Sequence, residues 1–500
     1  MRPEYRNPVV SYSDGEQTSG WVFIVLLVVG IPWAIWTIVA LLGSGASPIV
    51  PFNLVVGWFL ILALAYLGLH GSRGASWSSV PVLLTIEALV TFIGVPLWRF
   101  LENDDQIDSG YARAMLLVLI GFASLWIGSL MVMKESTLQF SPAATSTSMR
   151  VTVMSGSMLA LGVGENLALW KAGLFSYTAD VGLREANVGI MQWLGFLSGL
   201  LNGALVVSAI EVIGKRSTQV PIRLIFWASF TLSVGFGLIS GMKSGPMYPL
   251  LYVLLVYGVS RKQMPKTALL LPALVVVLIY PFVNAYRENM NHGYRAQMNT
   301  IGGSEAVLEK SFSDAFLGVG STSSSAAKGY SDAATGRLSY LSYVRDIIKL
   351  PAPSMLRGDE SVWLAPLYSL VPRFFWKEKP VLNKGQRLSF ILGHGMESSS
   401  APTLIGDLYS TYGTYGLVAG MLAWGICLQL YMNRIGGKPL SEVTLFIYTS
   451  MLLRLINLEE DFVATVAGTV QVSIEVALMA YIIYGRSASS LQPARMPTRI

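Results

Sequence analysis

The feature that most constrains this chain is a series of apolar runs, each about 20 residues long and nearly free of charge. An α-helix needs about 20 such residues to cross the hydrocarbon core of a membrane. Only 13% of the 500 residues are charged and 53% are hydrophobic, whereas soluble domains carry about 25% charged residues. The sequence therefore predicts an all-α, polytopic integral membrane protein.

Breaks at charged or turn-rich segments divide the chain into about twelve predicted transmembrane helices. They cover residues 21–42, 51–70, 77–98, 113–133, 150–170, 188–213, 219–241, 245–260, 266–286, 413–433, 441–458 and 463–484. The first run is longer than the core of a signal peptide, so we expect it to remain as a span. Cys427 is the only cysteine, which argues against a disulfide framework or a cysteine-based metal site.

Lys and Arg residues in the short loops predict the orientation, because cytoplasmic loops are enriched in them. With the N-terminus inside, the cytoplasmic loops and termini hold Arg2, Arg6, Arg73, Lys134, Arg150, Lys215, Arg216, Arg223, Arg261, Lys262, Lys266, Arg434, Lys438, Arg486, Arg495 and Arg499. The opposite short loops hold Arg99, Arg113, Lys171, Arg184 and Lys243. This asymmetry predicts that both termini are cytoplasmic. The charge balance of +6 fits a membrane protein with basic loops and gives no indication of nucleic acid binding.

The predicted helices divide the chain into four parts. Residues 1–286 carry helices one to nine, and residues 413–485 carry helices ten to twelve. Residues 287–412 between them are predicted to form one large periplasmic loop domain with amphipathic helices over 304–316 and 337–350. In the first of these, we expect Val307, Leu308, Phe312, Phe316 and Leu317 to share an apolar side. Residues 486–500 are predicted to be a disordered cytoplasmic tail.

Basic residues at the predicted outer surface are candidates for binding a pyrophosphate. Arg can hold phosphate oxygens through two parallel hydrogen bonds, and Lys acts as a point charge. The candidates are Lys243, Arg287, Arg337, Arg373 and Lys379. The alternative for each is contact with anionic lipid headgroups or simple solvation. Arg373 is the strongest candidate because it lies between a proline and an aromatic pair.

Carboxylates and one histidine are candidates for the proton transfer that a sugar hydroxyl would need. Asp407 is the leading candidate because it lies one to two turns into a predicted helix where the loop meets the membrane. Glu459 belongs to a Glu-Glu-Asp run, and His394 lies between two glycines and could act as a base. Each carboxylate could instead form an ion pair with the basic residues, and the histidine could have no role. Three scattered histidines without metal-ligand spacing argue against a zinc site.

Ionisable residues inside predicted spans are a further group, because such residues are usually functional. Glu165 and Arg454 both fall toward the outer side and could border one cavity, or form a structural salt bridge.

Four motifs occur in order along residues 240–425. They are SGMKSGPMY at a span start, NAYR at a span end, VPRFFWKEKPVLNKGQ, and APTLIGDLYSTYGTYGLVAGM. This order resembles the Wzy-type polymerases of bacterial O-antigen and exopolysaccharide repeat units. The residues that fill the family's PR-x-x-W-x-x-KP and G-[ED]-x-Y-x-x-[FY]-G stretches are Arg373, Trp376, Lys379, Pro380, Gly406, Tyr409 and Gly413. Asp407 stands where the family commonly has Glu, and Lys243 where it often has Arg.

The resemblance implies a glycosyltransferase in the bacterial inner membrane that works at the periplasmic face without metal or cofactor. The growing glycan on undecaprenyl pyrophosphate would be transferred to a new lipid-linked oligosaccharide repeat unit. Asp407, His394 and Arg373 would be the catalytic residues, and Tyr409 would be a further candidate for the cavity. Glu165, Arg454 and Glu459 are candidates for the cavity because of their ionisable side chains in or beside the spans, and not because of the resemblance. The implied partners are undecaprenyl-pyrophosphate-linked oligosaccharides and the bilayer, with a chain-length regulator and a flippase as further candidates, and no nucleic acid.

Two other functions fit parts of the pattern. An O-antigen ligase, which attaches finished glycan to the lipid A core, shares the many spans and the large outer loop. A polysaccharide or lipid transporter would instead spread charge along its spans and break them in matched halves. Here the charge is concentrated in one outer loop, which favours the polymerase.

Overall fold

A computed structural model describes the chain at residues 57, 80–96, 99, 109–134, 140–142, 147–175, 187, 194, 197, 199–242, 244–261, 281–283, 285–290, 301–317, 339–350, 371, 376, 384–392, 402–436 and 440–485. Within these residues the structure is α-helical, and backbone pairing of the β type is limited to an isolated bridge between Phe140 and Leu440. The all-α prediction is confirmed for this part of the chain.

We number the helices along the chain. The first six are α1 (Val80–Ala88), α2 (Ser109–Met131), α3 (Met149–Lys171), α4 (Gly199–Ala209), α5 (Val220–Ile239) and α6 (Met247–Arg261). The next six are α7 (Ile301–Phe312), α8 (Tyr340–Lys349), α9 (Lys384–Ile391), α10 (Leu404–Gly436), α11 (Glu442–Leu455) and α12 (Phe462–Tyr484). Wider π-helical turns continue three of them, at Leu89–Gly94 after α1, Ile210–Gly214 after α4 and Ser313–Leu317 after α7.

Four described segments are long and apolar enough to cross a membrane. They are Gly110–Met131, Val220–Ile239, Leu404–Gly436 and Phe462–Tyr484, at the predicted spans 113–133, 219–241, 413–433 and 463–484. Shorter apolar helices over Leu83–Gly94, Gly199–Gly214 and Met247–Arg261 coincide with three more. The chain therefore has helices suited to a membrane. The predicted span 21–42, all of 51–70 except Gly57, and most of 266–286 lie outside the described residues, so twelve spans remain a prediction.

The centre of the fold is a very close contact between α2 and α10. A side chain at Gly425 would overlap the carbonyl oxygen of Leu125, and one at Gly128 would overlap that of Leu422. The Ser129 hydroxyl, donating to the Gly425 carbonyl oxygen at 3.1 Å, joins the two helices. Small residues that let backbones approach, with hydroxyls bonding across, are typical of helix packing in membranes.

Contacts between helix ends define two opposite ends of the bundle. At one end, α10 begins where α11 finishes, because the Leu404 N–H donates to the Leu458 carbonyl oxygen at 3.1 Å. We call this the Asp407 end. At the other end, Lys215 pairs with Glu442 at the start of α11, and we call this the Lys215 end.

Residues predicted to lie in cytoplasmic loops gather at the Lys215 end. The Lys134 N–H donates to Asn433 near the end of α10. Arg150, at the start of α3, donates to the Ile482 carbonyl oxygen near the end of α12 at 2.8 Å. That this end faces the cytoplasm remains a prediction, since the structure contains no membrane.

Both amphipathic helices predicted in the outer loop are present, but the first buries only part of the apolar side that the sequence predicted. The second forms as α8 and packs on α2 with Leu341 and Val344 fully buried. The Arg345 guanidinium lies 4.4 Å from the centre of the Tyr111 ring, and such a cation–π contact stabilises the docked helix. The bounds of the outer domain remain a prediction.

The first forms as α7, but its predicted apolar side is wrong in part. Val307 is buried beside Tyr286 and Met290. Phe312 and Phe316 are exposed and contact each other at 4.9 Å between ring centres. Phe312 lies about 140° around the α-helix from Val307. The π-helical turn from Ser313 changes the angular spacing only for the residues after it, including Phe316.

Candidate functional site

A buried ion pair lies at the Asp407 end, between α9 and the first turn of α10. The Lys384 ammonium is 2.6 Å from Asp407 Oδ1, and both side chains are at most 5% exposed. Lys384 also donates to the Thr411 hydroxyl at 3.1 Å. A buried Lys is rarely retained without a partner, so this pair fixes α9 against α10.

Asp407 also connects α10 to α12. Its Oδ2 accepts a hydrogen bond from the Phe462 N–H at 3.0 Å, one of the backbone donors that have no partner within the first turn of a helix. The Thr411 hydroxyl donates to the Asp407 carbonyl oxygen at 2.8 Å. One carboxylate therefore holds together three segments separated by tens of residues in the sequence.

Asp461 is the second carboxyl of this cluster. It caps α12, because its Oδ1 accepts from the Ala464 N–H at 2.6 Å. Burial and the nearby negative charge of Asp407 together raise the pKa of Asp461 to about 6, although the Ala464 N–H and the Lys384 ammonium act in the opposite direction. A carboxyl group with a pKa near neutrality can exchange a proton with a substrate.

The backbone on both sides of Asp407 takes conformations that are rare. Thr403 has φ of 63°, and its hydroxyl accepts from the Gly406 N–H at 3.1 Å. Gly413, with φ of 67° and ψ of −160°, interrupts α10 after Tyr412. Only glycine adopts that region readily. The predicted boundary at 413 thus coincides with a break that separates the segment bearing Asp407 from the longer span.

Arg454 forms a second ion pair close to the same loop. Its Nη1 donates to Glu460 Oε1 at 2.6 Å, and its Nη2 lies 2.6 Å from Glu460 Oε2. Nη2 also donates to the Ala464 carbonyl oxygen at 2.5 Å. The guanidinium lies against Gly468, where a side chain would overlap it. The helix α6 packs against α11. Tyr248, in the first turn of α6, therefore lies near Glu459, Glu460 and Arg454.

Arg287 lies beside the loop that contains Lys243. Its Nε donates to the Gly241 carbonyl oxygen at 2.6 Å, and the Tyr286 hydroxyl donates to the Ile239 carbonyl oxygen at 2.9 Å. Arg287, one of the predicted pyrophosphate-binding residues, is therefore held against Gly241, 46 residues earlier in the chain. Lys243 itself lies outside the described residues.

Other predicted site residues have separate surroundings. The Tyr409 hydroxyl accepts from Arg113 at 3.1 Å, in exposed surroundings on α10 and α2. Glu459 follows Asn457, whose side chain accepts from its N–H at 3.1 Å. Arg337, Arg373, Lys379 and His394 lie outside the described residues, so their predicted roles remain predictions.

The sequence allowed a salt bridge between Glu165 and Arg454, but the structure does not form it. Arg454 pairs with Glu460, whereas the charged neighbour of Glu165 is Glu475 on α12. Helical periodicity could not find this neighbour, because the two acids lie on different helices about 300 residues apart.

Sequence reasoning included Lys384 and Asp461 in its basic and acidic stretches but did not single out either of them. Lys384 stands in the basic stretch after Pro380, and Asp461 ends the acidic run before the last span. Polarity alone could not distinguish them from their neighbours. Among the described residues, no group of three or more His, Cys, Asp or Glu side chains could hold a metal ion.

Comparison with known proteins gives a family without an activity. A family model described as a domain of unknown function, DUF8712, matches residues 95–447, which is more than half of the chain. No curated protein and no solved structure matches the chain.

Proposed function

Because the chain belongs to the DUF8712 family, whose function is unknown, we propose an activity from its own site: transfer of a lipid-linked glycan within a membrane. The growing glycan on undecaprenyl pyrophosphate is the donor, and a new lipid-linked repeat unit is the acceptor. The motif order along residues 240–425 supports this proposal, and so does the gathering of ionisable groups at one end of an apolar helical bundle.

The observation that carries the proposal is the buried Lys384–Asp407 pair with Asp461 beside it. Two acids and one ammonium, brought together from three segments, are costly to bury and contribute little net stability. Such an arrangement is typical of a site in which charge must be positioned for chemistry.

In the proposed reaction, the acceptor hydroxyl oxygen bonds to the anomeric carbon of the donor sugar. The bond from that carbon to the pyrophosphate oxygen breaks, and undecaprenyl pyrophosphate leaves with the electron pair. The acceptor's proton passes to a carboxylate. Because the donor sugar is already activated, the protein mainly has to orient both lipids and stabilise the leaving charge.

The geometry favours Asp461 as the proton acceptor and gives Asp407 a positioning role. Asp407 is fully engaged with Lys384 and with the start of α12. Asp461 makes a single capping bond, and its pKa of about 6 suits a base near neutral pH. His394 remains the alternative base.

The leaving pyrophosphate needs cations at the same end. Arg287 lies beside the Lys243 loop. Arg337, Arg373 and Lys379 join them in the proposal on the strength of the motifs alone. We place this end at the periplasmic face of the bacterial inner membrane, with both termini cytoplasmic.

The test compares two Lys→Gln variants in a strain from which the chromosomal copy is deleted. Lys384→Gln removes the buried ammonium, whereas Lys171→Gln removes an exposed one from the end of α3. We expect glycan from the first variant to stop at single repeat units and glycan from the second to reach normal length. Equal, normal chain length in both would contradict the proposal.

The same gel separates the two related functions. Single repeat units attached to the lipid A core in the deletion strain indicate loss of a polymerase. Long chains that accumulate on the lipid carrier, unattached to the core, indicate loss of a ligase. Unchanged chains combined with repeat units held on the cytoplasmic side would instead indicate a transporter.

A further inference from the structure

Two buried acidic side chains lie near each other between α3, α4 and α12, away from the proposed reaction site. Glu165 on α3 is 4% exposed and Glu475 on α12 is 8% exposed. Their carboxyl groups are close enough to repel one another electrostatically. Gly199, in the first turn of α4, lies against this pair, since a side chain there would come within 3.4 Å of Glu475 Oε2.

The helices around this pair are packed so tightly that water cannot reach it freely. A side chain at Gly162 would overlap the backbone of Leu201, and one at Gly203 would overlap Met158 and Met479. Apolar groups therefore line the pair on the side of the Lys215 end. Glu475 shares a hydrogen bond with Gln471, but the buried Glu165 Oε2 has no hydrogen-bond partner among the described residues.

No described basic side chain neutralises the pair. On α3, Lys171 is about 9 Å away along the helix axis from Glu165 and Arg150 about 22 Å, at 1.5 Å per residue. On α12, Glu475 is the only charged residue, and α4 has none. Among the helices that pack against these three, Arg223 on α5 bonds to the Ser217 carbonyl oxygen, Arg454 on α11 pairs with Glu460, and Glu442 pairs with Lys215.

We propose that Glu165 and Glu475 form a proton-binding site inside the bundle, in which the two carboxyl groups share a proton at neutral pH. Two like charges in a medium of low dielectric constant cannot both stay ionised. One proton bound to the pair cancels one of the two charges. This site is independent of glycan transfer, because neither residue contacts the Lys384–Asp407 pair.

The test uses dicyclohexylcarbodiimide, a membrane-soluble reagent that adds to protonated carboxyl groups in apolar surroundings. The full chain in detergent is treated between pH 5.5 and 9, and labelled peptides are identified by mass spectrometry. We expect labelling at Glu165 or Glu475 at pH 7 that declines as the pH rises. Glu211 and Glu442 are the internal control, since Lys215 pairs with both at 3.0 and 3.1 Å, and should stay unlabelled.

The reciprocal variants test whether the proton is shared. In Glu475→Gln, labelling of Glu165 should decline about one pH unit earlier, because its charged neighbour is gone. Glu165→Gln should shift the labelling of Glu475 in the same direction, and size-exclusion chromatography verifies that each variant is folded. Absence of labelling at both residues would overturn the proposal, and so would a pH dependence of labelling that the substitution of the other residue leaves unchanged. Protection by Na⁺ at constant pH would overturn it too, because the site would then hold a metal cation.

Discussion

Replacing Asp461 with Asn should stabilise the protein while it abolishes glycan transfer. Asparagine keeps the oxygen that accepts from the Ala464 N–H, and Asn caps helices about as well as Asp. The substitution removes only the negative charge, which the structure disfavours because of burial and the neighbouring Asp407.

The magnitude follows from the pKa of Asp461. It is raised from its ordinary value of 3.8 to about 6, and each pKa unit corresponds to about 1.4 kcal/mol. The folded state therefore binds this proton more tightly than the unfolded state, and ionisation costs stability as the pH rises from about 4 to about 6. Fully ionised, Asp461 should destabilise the fold by about 1–3 kcal/mol.

The assay is equilibrium unfolding by SDS in mixed micelles, followed by circular dichroism at pH 4.5 and pH 8. The free energy of unfolding of Asp461→Asn should exceed that of the wild type by about 1–3 kcal/mol at pH 8. The difference should be smaller at pH 4.5. Asp346→Asn is the matched control, because Asp346 pairs with Arg345 at 2.7 Å and should lose a little stability at both values. A variant of Asp461 that is less stable than the wild type at both pH values would refute the reasoning.

Two further predictions concern the ion pairs. Lys384→Met leaves Asp407 buried and unpaired, so it should destabilise the fold by about 3–5 kcal/mol. The double variant with Asp407→Asn should recover part of this loss in the same unfolding assay, and simple additivity of the two effects would argue against direct pairing. Gly468→Ala should displace the Arg454 guanidinium and cost stability, whereas Gly235→Ala, where a side chain meets nothing within 4 Å, should be neutral or stabilising by up to about 1 kcal/mol. Equal thermal stability of these two glycine variants would show that Arg454 does not depend on contact with Gly468.

The motif stretches were informative where a residue's role is local. Gly413 could be placed at a boundary from the sequence because a glycine at the end of a polar stretch favours a break. Its backbone conformation now supplies the reason. Asp407 could be singled out because it lies early in a predicted helix, where the polar loop meets the membrane. The predicted side of α7 failed at Phe312, which is exposed because it lies five residues after the buried Val307, about 140° around an α-helix.

The partners of these residues could not be predicted in the same way. Lys384 is one of several basic residues in its stretch, and the sequence gives no reason to prefer it. Its selection depends on how α9 docks against α10. The sequence predicted Arg454 near Glu165, whereas the structure has Glu475 there. The cause is the same, because the rotation of one helix against another decides which side chains meet.

By itself the sequence determined the helical, membrane-suited character of this protein, because long uncharged apolar runs have few other ways to satisfy their backbone groups in lipid. It also determined which end of the helices collects the basic loop residues. The tertiary structure alone decided which charges pair and which carboxyl group is left able to exchange a proton. Those outcomes depend on distances of a few ångströms between segments far apart in the chain, and on burial that strengthens every such interaction.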